Sequence, residues 1–208
     1  MSILKALFGP SRKEIWTQLS NEIGATYNDG GTWKNDEVRA KHKEWMIILD
    51  KYVVSSGKSS ITYTRMRAPF INKDKFRFTI YRRSWFSDVG KWLGLVSDVE
   101  VDQEDFDSNY IIQGNDHYKL WKFFNNEHIR MLISHQPEIY ITVNKANAHV
   151  FDNTYPDNVD CVTFMVVGVI KDINRLKLLF DLFAEILDHL CHIGTAYEDD
   201  PKLKNYYI

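Results

Sequence analysis

Apolar residues recur at intervals of three and four in several parts of the chain, which is the spacing of one face of a helix. The first such part follows Ser11 and Glu14, which are spaced as a capping box, and it stops at Gly24. The last stops at Gly194, since glycine commonly terminates helices. The pattern predicts helices over residues 12–23, 84–93, 116–124, 127–135 and 173–193.

Elsewhere the apolar residues alternate with polar ones or form short continuous runs, as they do in strands. Short extended pieces are expected on either side of Gly30 and Gly31, at residues 26–28 and 32–34. An acidic extended stretch is expected over residues 98–107. The longer predicted strands are residues 44–53, 60–67, 76–83, 109–113, 139–143, 148–151 and 159–170.

Connections between the predicted strands are short, which favours antiparallel pairing over parallel crossover units. The strands at residues 60–67 and 76–83 are close enough in the chain to form a hairpin. No internal repeat or long flexible linker divides the sequence. We therefore expect an α+β fold in a single domain, residues 1–208, with a mainly antiparallel sheet packed by N-terminal, central and C-terminal helices.

Composition narrows the classes of protein to which the chain can belong. Its 208 residues suffice for one domain with a substantial core, and 14% of them are aromatic, which favours strands. A formal net charge of −2 disfavours a general nucleic-acid binder, because such domains are usually strongly basic. Cys161 and Cys191 lie in apolar runs and are expected to be reduced. Because no apolar stretch reaches the ~18 residues of a membrane span, we expect a cytoplasmic protein.

The candidate contact surface is a set of tyrosines and arginines on two predicted strands. Alternation places three of them on one face of residues 60–67 and three more on one face of residues 76–83. If the two strands pair, four guanidinium groups and two phenols share a surface that suits a phosphate or carboxylate. The alternative is a solvated outer face covered by arginine stems. The six residues are Tyr63, Arg65, Arg67, Arg77, Tyr81 and Arg83.

An acidic run bears directly on this hypothesis, because its carboxylates can dock over the arginines and neutralise them. A plain solvated loop is the other simple interpretation. Calcium binding is disfavoured, since the run lacks the central glycine and the final glutamate of an EF-hand loop. The carboxylates belong to Asp98, Glu100, Asp102, Glu104, Asp105 and Asp107.

His189 and His192 are three residues apart on the last predicted helix, a spacing that puts two metal ligands on one face. A histidine near a helix C-terminus also has a structural role, because the helix dipole stabilises its charged form. No neighbouring cluster of Cys or His completes a set of four ligands. The sequence therefore predicts neither a metal site nor a cofactor, and neither cysteine has the signature of a nucleophile.

Two apolar segments, residues 3–8 and 85–95, have side chains suited to a membrane surface or a partner. The second contains Trp85, Lys91 and Trp92. In a chain so rich in aromatic rings, packing into the core is the simpler explanation of both segments. Membrane contact is therefore not predicted.

Residues 106–116 read Phe-Asp-Ser-Asn-Tyr-Ile-Ile-Gln-Gly-Asn-Asp, and a helical stretch with a leucine follows at residues 123–133. This order resembles a motif of an uncharacterised bacterial family known only as a domain of unknown function. The resemblance implies a bacterial, non-secreted α+β module, and it supplies no catalytic residues. From the residues alone, Gly114 permits a tight exit from a strand, and Asn115 or Asp116 caps the next helix.

The glycine-rich phosphate loops and catalytic motifs of familiar enzymes do not occur in the sequence. Our leading hypothesis is a non-enzymatic binding domain whose tyrosine and arginine face contacts an anionic ligand or a protein partner. The alternative is a hydrolase or transferase that combines the same arginines with a carboxylate from residues 98–107. A third hypothesis, a structural subunit of a larger assembly, predicts a large apolar surface patch and a stable oligomer.

Overall fold

The computed structural model describes residues 9–31, 35–85, 98–145 and 155–203, and its α+β architecture confirms the predicted fold class. The strands are β1 (Thr26–Asn28), β2 (Glu37–His42), β3 (Trp45–Ser56), β4 (Ser59–Asn72), β5 (Phe78–Arg82), β6 (Tyr110–Gly114), β7 (Tyr140–Asn144), β8 (Val159–Val167) and β9 (Ala196–Tyr197). The helices are α1 (Arg12–Ile23), α2 (Glu104–Asn109), α3 (His117–Phe124), α4 (Glu127–Ser134) and α5 (Ile173–His192).

The strands form one sheet in the order β1-β2-β3-β4-β8-β7-β5-β6, and β9 pairs with the far end of β4. Every neighbouring pair is antiparallel, as the short connections predicted. β4 lies in the middle of the sheet and pairs with β3 on one side and β8 on the other. With 14 residues it is also the longest strand, so it carries the longest continuous row of side chains on each face.

The helices begin where the sequence supplies a cap. Ser11 and Glu14 form the predicted capping box at α1, in which each side chain bonds to the backbone of the other residue. Gly24 ends that helix in the left-handed conformation, with a φ of 67°. Asp172 caps α5 by accepting a hydrogen bond from the backbone N–H of Arg175. These local signals explain why the predicted bounds of both helices nearly match the observed ones.

One face of the sheet packs against the helices. The main core contains residues from all five helices and from alternate positions of the strands, and its largest members include Trp16, Trp45, Phe70, Phe123, Phe164 and Phe183. The opposite face carries a much smaller apolar cluster, made by Tyr155, Val159, Cys161 and Leu203 with Ile71 beside them. No helix of the described residues covers that second face. Side chains at odd positions of β4 therefore point away from the main core.

Several predicted elements differ from the structure. β2 and β9 were not predicted, whereas the predicted pieces at residues 32–34 and 148–151 lie outside the described residues. The predicted helix at residues 84–93 also lies outside them from residue 86 onward. The acidic stretch is not extended throughout, because residues 104–109 form α2. Acidic side chains in the first turn of a helix are stabilised by its dipole, and burial of Phe106 anchors the turn to the core.

The predicted hairpin between the strands of residues 60–67 and 76–83 is wrong. β8 and β7 lie between β4 and β5, so the two strands do not pair. Side-chain hydrogen bonds fix the path of the loop at residues 73–77, which connects β4 to β5. Asn72 Oδ1 accepts from the backbone N–H of Asp74 and Lys75, and Asn115 Oδ1 accepts from that of Arg77. The loop therefore carries the chain past two strands to the far part of the sheet.

β6 ends at Gly114, a position that only glycine can occupy because there is no room for a side chain. A Cβ atom there would lie 2.8 Å from the carbonyl oxygen of Arg77 and 3.0 Å from a methyl carbon of Leu120. The rings of Phe106 and Tyr110 pack against each other nearby, with centroids 4.6 Å apart. The corner at residues 106–116 is thus built by close packing, and Asp116 caps α3 as predicted.

Candidate functional site

Three of the six candidate residues share the face of β4 that is turned away from the helices. Tyr63, Arg65 and Arg67 occupy alternate positions, as the sequence predicted. The register of the sheet places Asp50 of β3 directly opposite Arg65, and Tyr52 directly opposite Tyr63. Asp50 is not among the residues that the sequence predicts for this surface.

Asp50 holds both arginines of β4. Its carboxylate accepts two hydrogen bonds from Arg65, from Nε at 2.8 Å and Nη2 at 2.7 Å, and a third from Arg67 Nη2 at 2.7 Å. The Arg65 guanidinium also lies 4.5 Å from the centre of the Tyr52 ring. All three charged side chains are largely removed from water. Burial by itself lowers the pKa of the Arg67 guanidinium, but Asp50 together with Tyr155 and Cys161 outweighs this effect, and the pKa of Arg67 is raised.

This ionic cluster carries more positive than negative charge. On the neighbouring strand β2, Arg39 pairs with Glu37 at 2.7 Å, and Glu37 lies opposite Asp50 in the sheet. Among the described residues, three guanidinium groups therefore face two carboxylates. Arg67 Nε is buried and has no hydrogen-bond partner among the described residues. We call Glu37, Arg39, Asp50, Arg65 and Arg67 the arginine network.

The other three candidate residues do not join this network. β5 is three strands away from β4, which corresponds to about 14 Å at the usual strand spacing. Arg77 pairs with Asp160 through Nε and Nη2, both at 2.8 Å, and this hydrogen bonding raises its pKa. Arg83 pairs with Asp98 at 2.6 Å. Tyr81 is fully buried, and burial raises the pKa of its phenol.

Next to the arginine network the same face of the sheet is apolar and exposed. Val54 is 39% exposed, Ile61 45% and Val167 60%. Val54 lies opposite Ile61, while Tyr63 lies opposite Val167 on its other side, so the exposed side chains adjoin one another. We call Tyr52, Val54, Ile61, Tyr63 and Val167 the apolar patch. Its sequence signal is the occurrence of Val54 and Ile61 in phase with Tyr52 and Tyr63 on the outer face.

The acidic run docks over only one of the candidate arginines. Asp98 binds Arg83 and accepts a hydrogen bond from the backbone N–H of Ile112. Asp107 accepts hydrogen bonds from the backbone N–H groups of Val101 and Gln103. Two of the carboxylates therefore have structural roles. Arg65, Arg67 and Arg77 take their carboxylate partners from Asp50 and Asp160 instead.

The two histidines of α5 stack on each other with ring centroids 5.5 Å apart, but the described residues contain no cluster of three His, Cys, Asp or Glu side chains suited to a metal ion. His189 Nε2 lies 3.2 Å from the carbonyl oxygen of Lys122, and its Nδ1 lies 3.3 Å from Nδ2 of Asn126. Asn126 Oδ1 caps α4, which fixes the direction of that amide. His189 Nδ1 must therefore accept a hydrogen bond, and the ring is held neutral.

Acidification is expected to weaken the junction of α3, α4 and α5 through His189. Burial lowers the pKa of His189 below its ordinary value of 6.5, so the folded state favours the neutral ring. The stability contributed by this histidine is present above pH 6.5 and is lost as the pH falls below it, because the unfolded chain takes up the proton first. Relative to a His189→Gln variant, the parent should lose up to about 1 kcal/mol more between pH 7 and pH 5. Urea unfolding at both pH values measures the change in the free energy of unfolding. The control is His135→Gln, which replaces an exposed histidine. Equal pH dependence of the parent and His189→Gln would contradict the prediction.

Both cysteines are poor nucleophiles in this fold. Cys161 is buried in the small apolar cluster, and burial raises the pKa of its thiol. Burial likewise raises the pKa of Cys191, which is partly exposed on α5. Because the thiolate is the reactive form, a raised pKa lowers the reactivity of each residue.

Comparison with known proteins does not assign the site. No helix among the described residues combines the length and apolar character that crossing a membrane requires. A scan against models of protein families found no match, and searches of curated proteins and of solved structures also found none. The resemblance of residues 106–116 to an uncharacterised bacterial family stays a prediction. The contacts and charges of the chain itself are therefore the basis for inferring its function.

Proposed function

We propose that the protein is a binding domain whose open sheet face takes up an acidic segment of a partner protein. The segment lies across the apolar patch, and its carboxylates lie at the edge of the arginine network, whose positive charge attracts them although its guanidinium groups are largely buried. The observation that carries this proposal is the continuity of the two surfaces on adjacent positions of β3 and β4. An apolar centre next to charged groups is the usual composition of a protein contact surface.

The apolar patch supports binding because its side chains are exposed on a rigid sheet. Single exposed apolar residues are ordinary on protein surfaces, whereas adjoining ones mark contact sites more often. Tyr52 and Tyr63 add large side chains with few rotatable bonds, which are favoured at interfaces. An extended partner segment with every second side chain apolar matches the spacing of these residues.

Charge supports an acidic partner. Within the part of the chain that the structure describes, the arginine network has three guanidinium groups and two carboxylates, and residues 51–64 contain Lys51 and Lys58 but no Asp or Glu. A second copy of this chain fits less well, because the same positive excess would face itself. The contact surface therefore retains Tyr63, Arg65 and Arg67 of the original six candidates.

Two cross-strand pairs at the end of the β3–β4 hairpin provide a matched test. Val54 and Ile61 pair on the open face, whereas Val53 and Thr62 pair on the other face, and Val53 and Val54 are equally exposed at 39%. The probe is a fluorescein-labelled peptide of alternating Leu and Glu, compared with one of alternating Leu and Lys, by fluorescence anisotropy. We expect the Leu-Glu peptide to bind more tightly than the Leu-Lys peptide, and more weakly as salt increases.

The double variant Val54→Asp with Ile61→Asp is expected to weaken binding of the Leu-Glu peptide at least about tenfold, because it removes apolar contact and adds repulsion. Val53→Asp with Thr62→Asp adds the same charge on the other face and is expected to change binding less than about twofold. Equal effects of the two variants, or equal binding of the two peptides, would overturn the proposal. So would a dimer in light scattering that only the Val54 and Ile61 variant dissociates.

A further inference from the structure

A cavity of about 600 Å³ lies where the end of α3 meets the last turns of α5, on the helical side of the molecule. It is separate from the apolar patch, which lies on the other face of the sheet, so a ligand here is independent of the proposed function. Its lining includes Trp121, Lys122 and Asn125 from the end of α3, and Glu185, Asp188 and His192 from α5.

The lining of this cavity narrows the class of ligand. Most of the side chains are polar, which disfavours an apolar ligand, and the carboxylates of Glu185 and Asp188 disfavour an anion. Both carboxylates already have partners, because Asp188 pairs with Lys43 at 2.9 Å and Glu185 accepts a hydrogen bond from Asn126 Nδ2 at 2.8 Å. They need no external cation, and the described residues hold no cluster suited to a metal ion. A neutral polar ligand is the class that fits.

Two polar side chains of the lining are available to such a ligand. The amide of Asn125 and the ring nitrogens of His192 are exposed and make no hydrogen bond within the part of the chain that the structure describes. The His192 ring stacks on His189, which holds it beside the cavity. An amide offers two donors and an acceptor, so these groups suit hydroxyl groups, which take either role.

Trp121 adds an apolar surface beside these polar groups. Its side chain is 39% exposed, and its ring lies nearly parallel to that of Tyr118, at an interplanar angle of 17°. Both residues belong to α3, so the indole is carried by a regular helix and braced by a second ring. The electron-rich face of an indole attracts C–H groups, which carry a small positive charge. The cavity therefore matches a ligand with one apolar face and hydroxyl groups around its edge.

We propose that this cavity binds a neutral hexopyranose unit of an oligosaccharide. The apolar face of the sugar ring lies on the Trp121 indole, and its hydroxyl groups bond to Asn125 and His192. The free lone pairs of Glu185 and Asp188 accept hydrogen bonds from further hydroxyl groups. A β-linked glucose unit fits best, because its equatorial hydroxyl groups leave only C–H groups on the two faces of the ring.

Saturation-transfer NMR of the intact protein with methyl β-D-glucopyranoside tests the proposal. This sugar is expected to bind with a Kd on the order of 1 mM. Sorbitol carries similar hydroxyl groups on an open chain without a ring face, so it should bind at least about tenfold more weakly. Absence of binding of the glucopyranoside up to about 20 mM would overturn the proposal, as would equal binding of sorbitol.

Variants locate the sugar. Trp121→Ala removes the apolar surface and should weaken binding of the glucopyranoside at least about tenfold, while Asn125→Ala should weaken it several-fold. Tyr197→Ala is the matched control, since it removes an exposed aromatic ring that does not line the cavity, and it should bind like the parent. Equal effects of Trp121→Ala and Tyr197→Ala would indicate unspecific contact with aromatic rings and contradict the proposal. Parent-like binding by both Trp121→Ala and Asn125→Ala would contradict it as well.

Discussion

Asp50→Ala is expected to lower the free energy of unfolding by about 3–5 kcal/mol. The substitution leaves Arg65 and Arg67 largely buried without the carboxylate that accepts three of their hydrogen bonds. Removing one partner of a buried ion pair is costly because the remaining charge keeps its desolvation penalty and loses its compensation. Here two guanidinium groups are left instead of one, so the upper part of this range is expected. Urea denaturation at pH 7 measures the loss.

Glu44→Ala is the matched control, since Glu44 lies directly before β3 and its exposed carboxylate pairs with Lys41 only at 3.9 Å. It should change stability by less than about 1 kcal/mol. Replacing Asp50, Arg65 and Arg67 together by apolar residues should recover most of the loss, because no buried charge then remains. A cost of Asp50→Ala no larger than that of the control would mean that water reaches the arginines and solvates them.

The helices could be predicted from the sequence because their signals are local. A cap, an apolar stripe and a glycine lie within one segment of chain, as at α1, where Ser11, Glu14 and Gly24 fix both ends. The single failure among the described helices is α2, whose acidic residues were interpreted as part of an extended loop. Its six residues hold one buried apolar side chain, Phe106, which is too few to show a helical period.

Strand order could not be predicted in the same way. The alternation in residues 60–67 correctly showed which side chains share a face, because that property depends only on the strand itself, whereas Arg77 and Arg83 lie outside β5. Which strand lies beside β4 depends instead on β8, about a hundred residues further along the chain. A hairpin was expected because the two strands are close in sequence. The hydrogen bonds of Asn72 and Asn115 instead direct the connecting loop past β8 and β7 to β5.

The sequence predicts only part of the candidate site, because it does not show which strands are neighbours. Tyr63, Arg65 and Arg67 lie together because one strand carries them, whereas the carboxylates that neutralise the arginines come from other strands. Asp50 lies in an apolar run of β3, and Asp160 lies in one of β8. Each of these segments has the pattern of a core strand that contains a single carboxylate. A lone carboxylate in an apolar strand is a usable signal, because burial of a charge requires a partner of opposite sign.

The second large effect is expected at Asp160, which is 1% exposed and accepts hydrogen bonds from Arg77 Nε and Nη2 at 2.8 Å and from Asn72 Nδ2 at 2.7 Å. Asp160→Ala should lower the free energy of unfolding by about 2–3 kcal/mol, since the buried Asn72 loses one of its two acceptors and the partly exposed Arg77 loses its carboxylate. Both donor residues flank the loop that carries the chain from β4 to β5. Hydrogen exchange of the backbone amides of residues 72–77 should therefore accelerate more than that of α1.

Asp157→Ala separates the role of Asp160 from a general effect of lost charge, because Asp157 is 98% exposed and pairs with Lys145 at the surface. It should change stability by less than about 1 kcal/mol and leave exchange of the loop amides unaltered. Combining Asp160→Val with Arg77→Met should restore part of the stability, since the unpaired guanidinium is gone, while Asn72 still lacks one of its two acceptors. If Asp160→Ala lowers stability without faster exchange at residues 72–77, the carboxylate stabilises β8 alone, and it does not fix the path of the loop between β4 and β5.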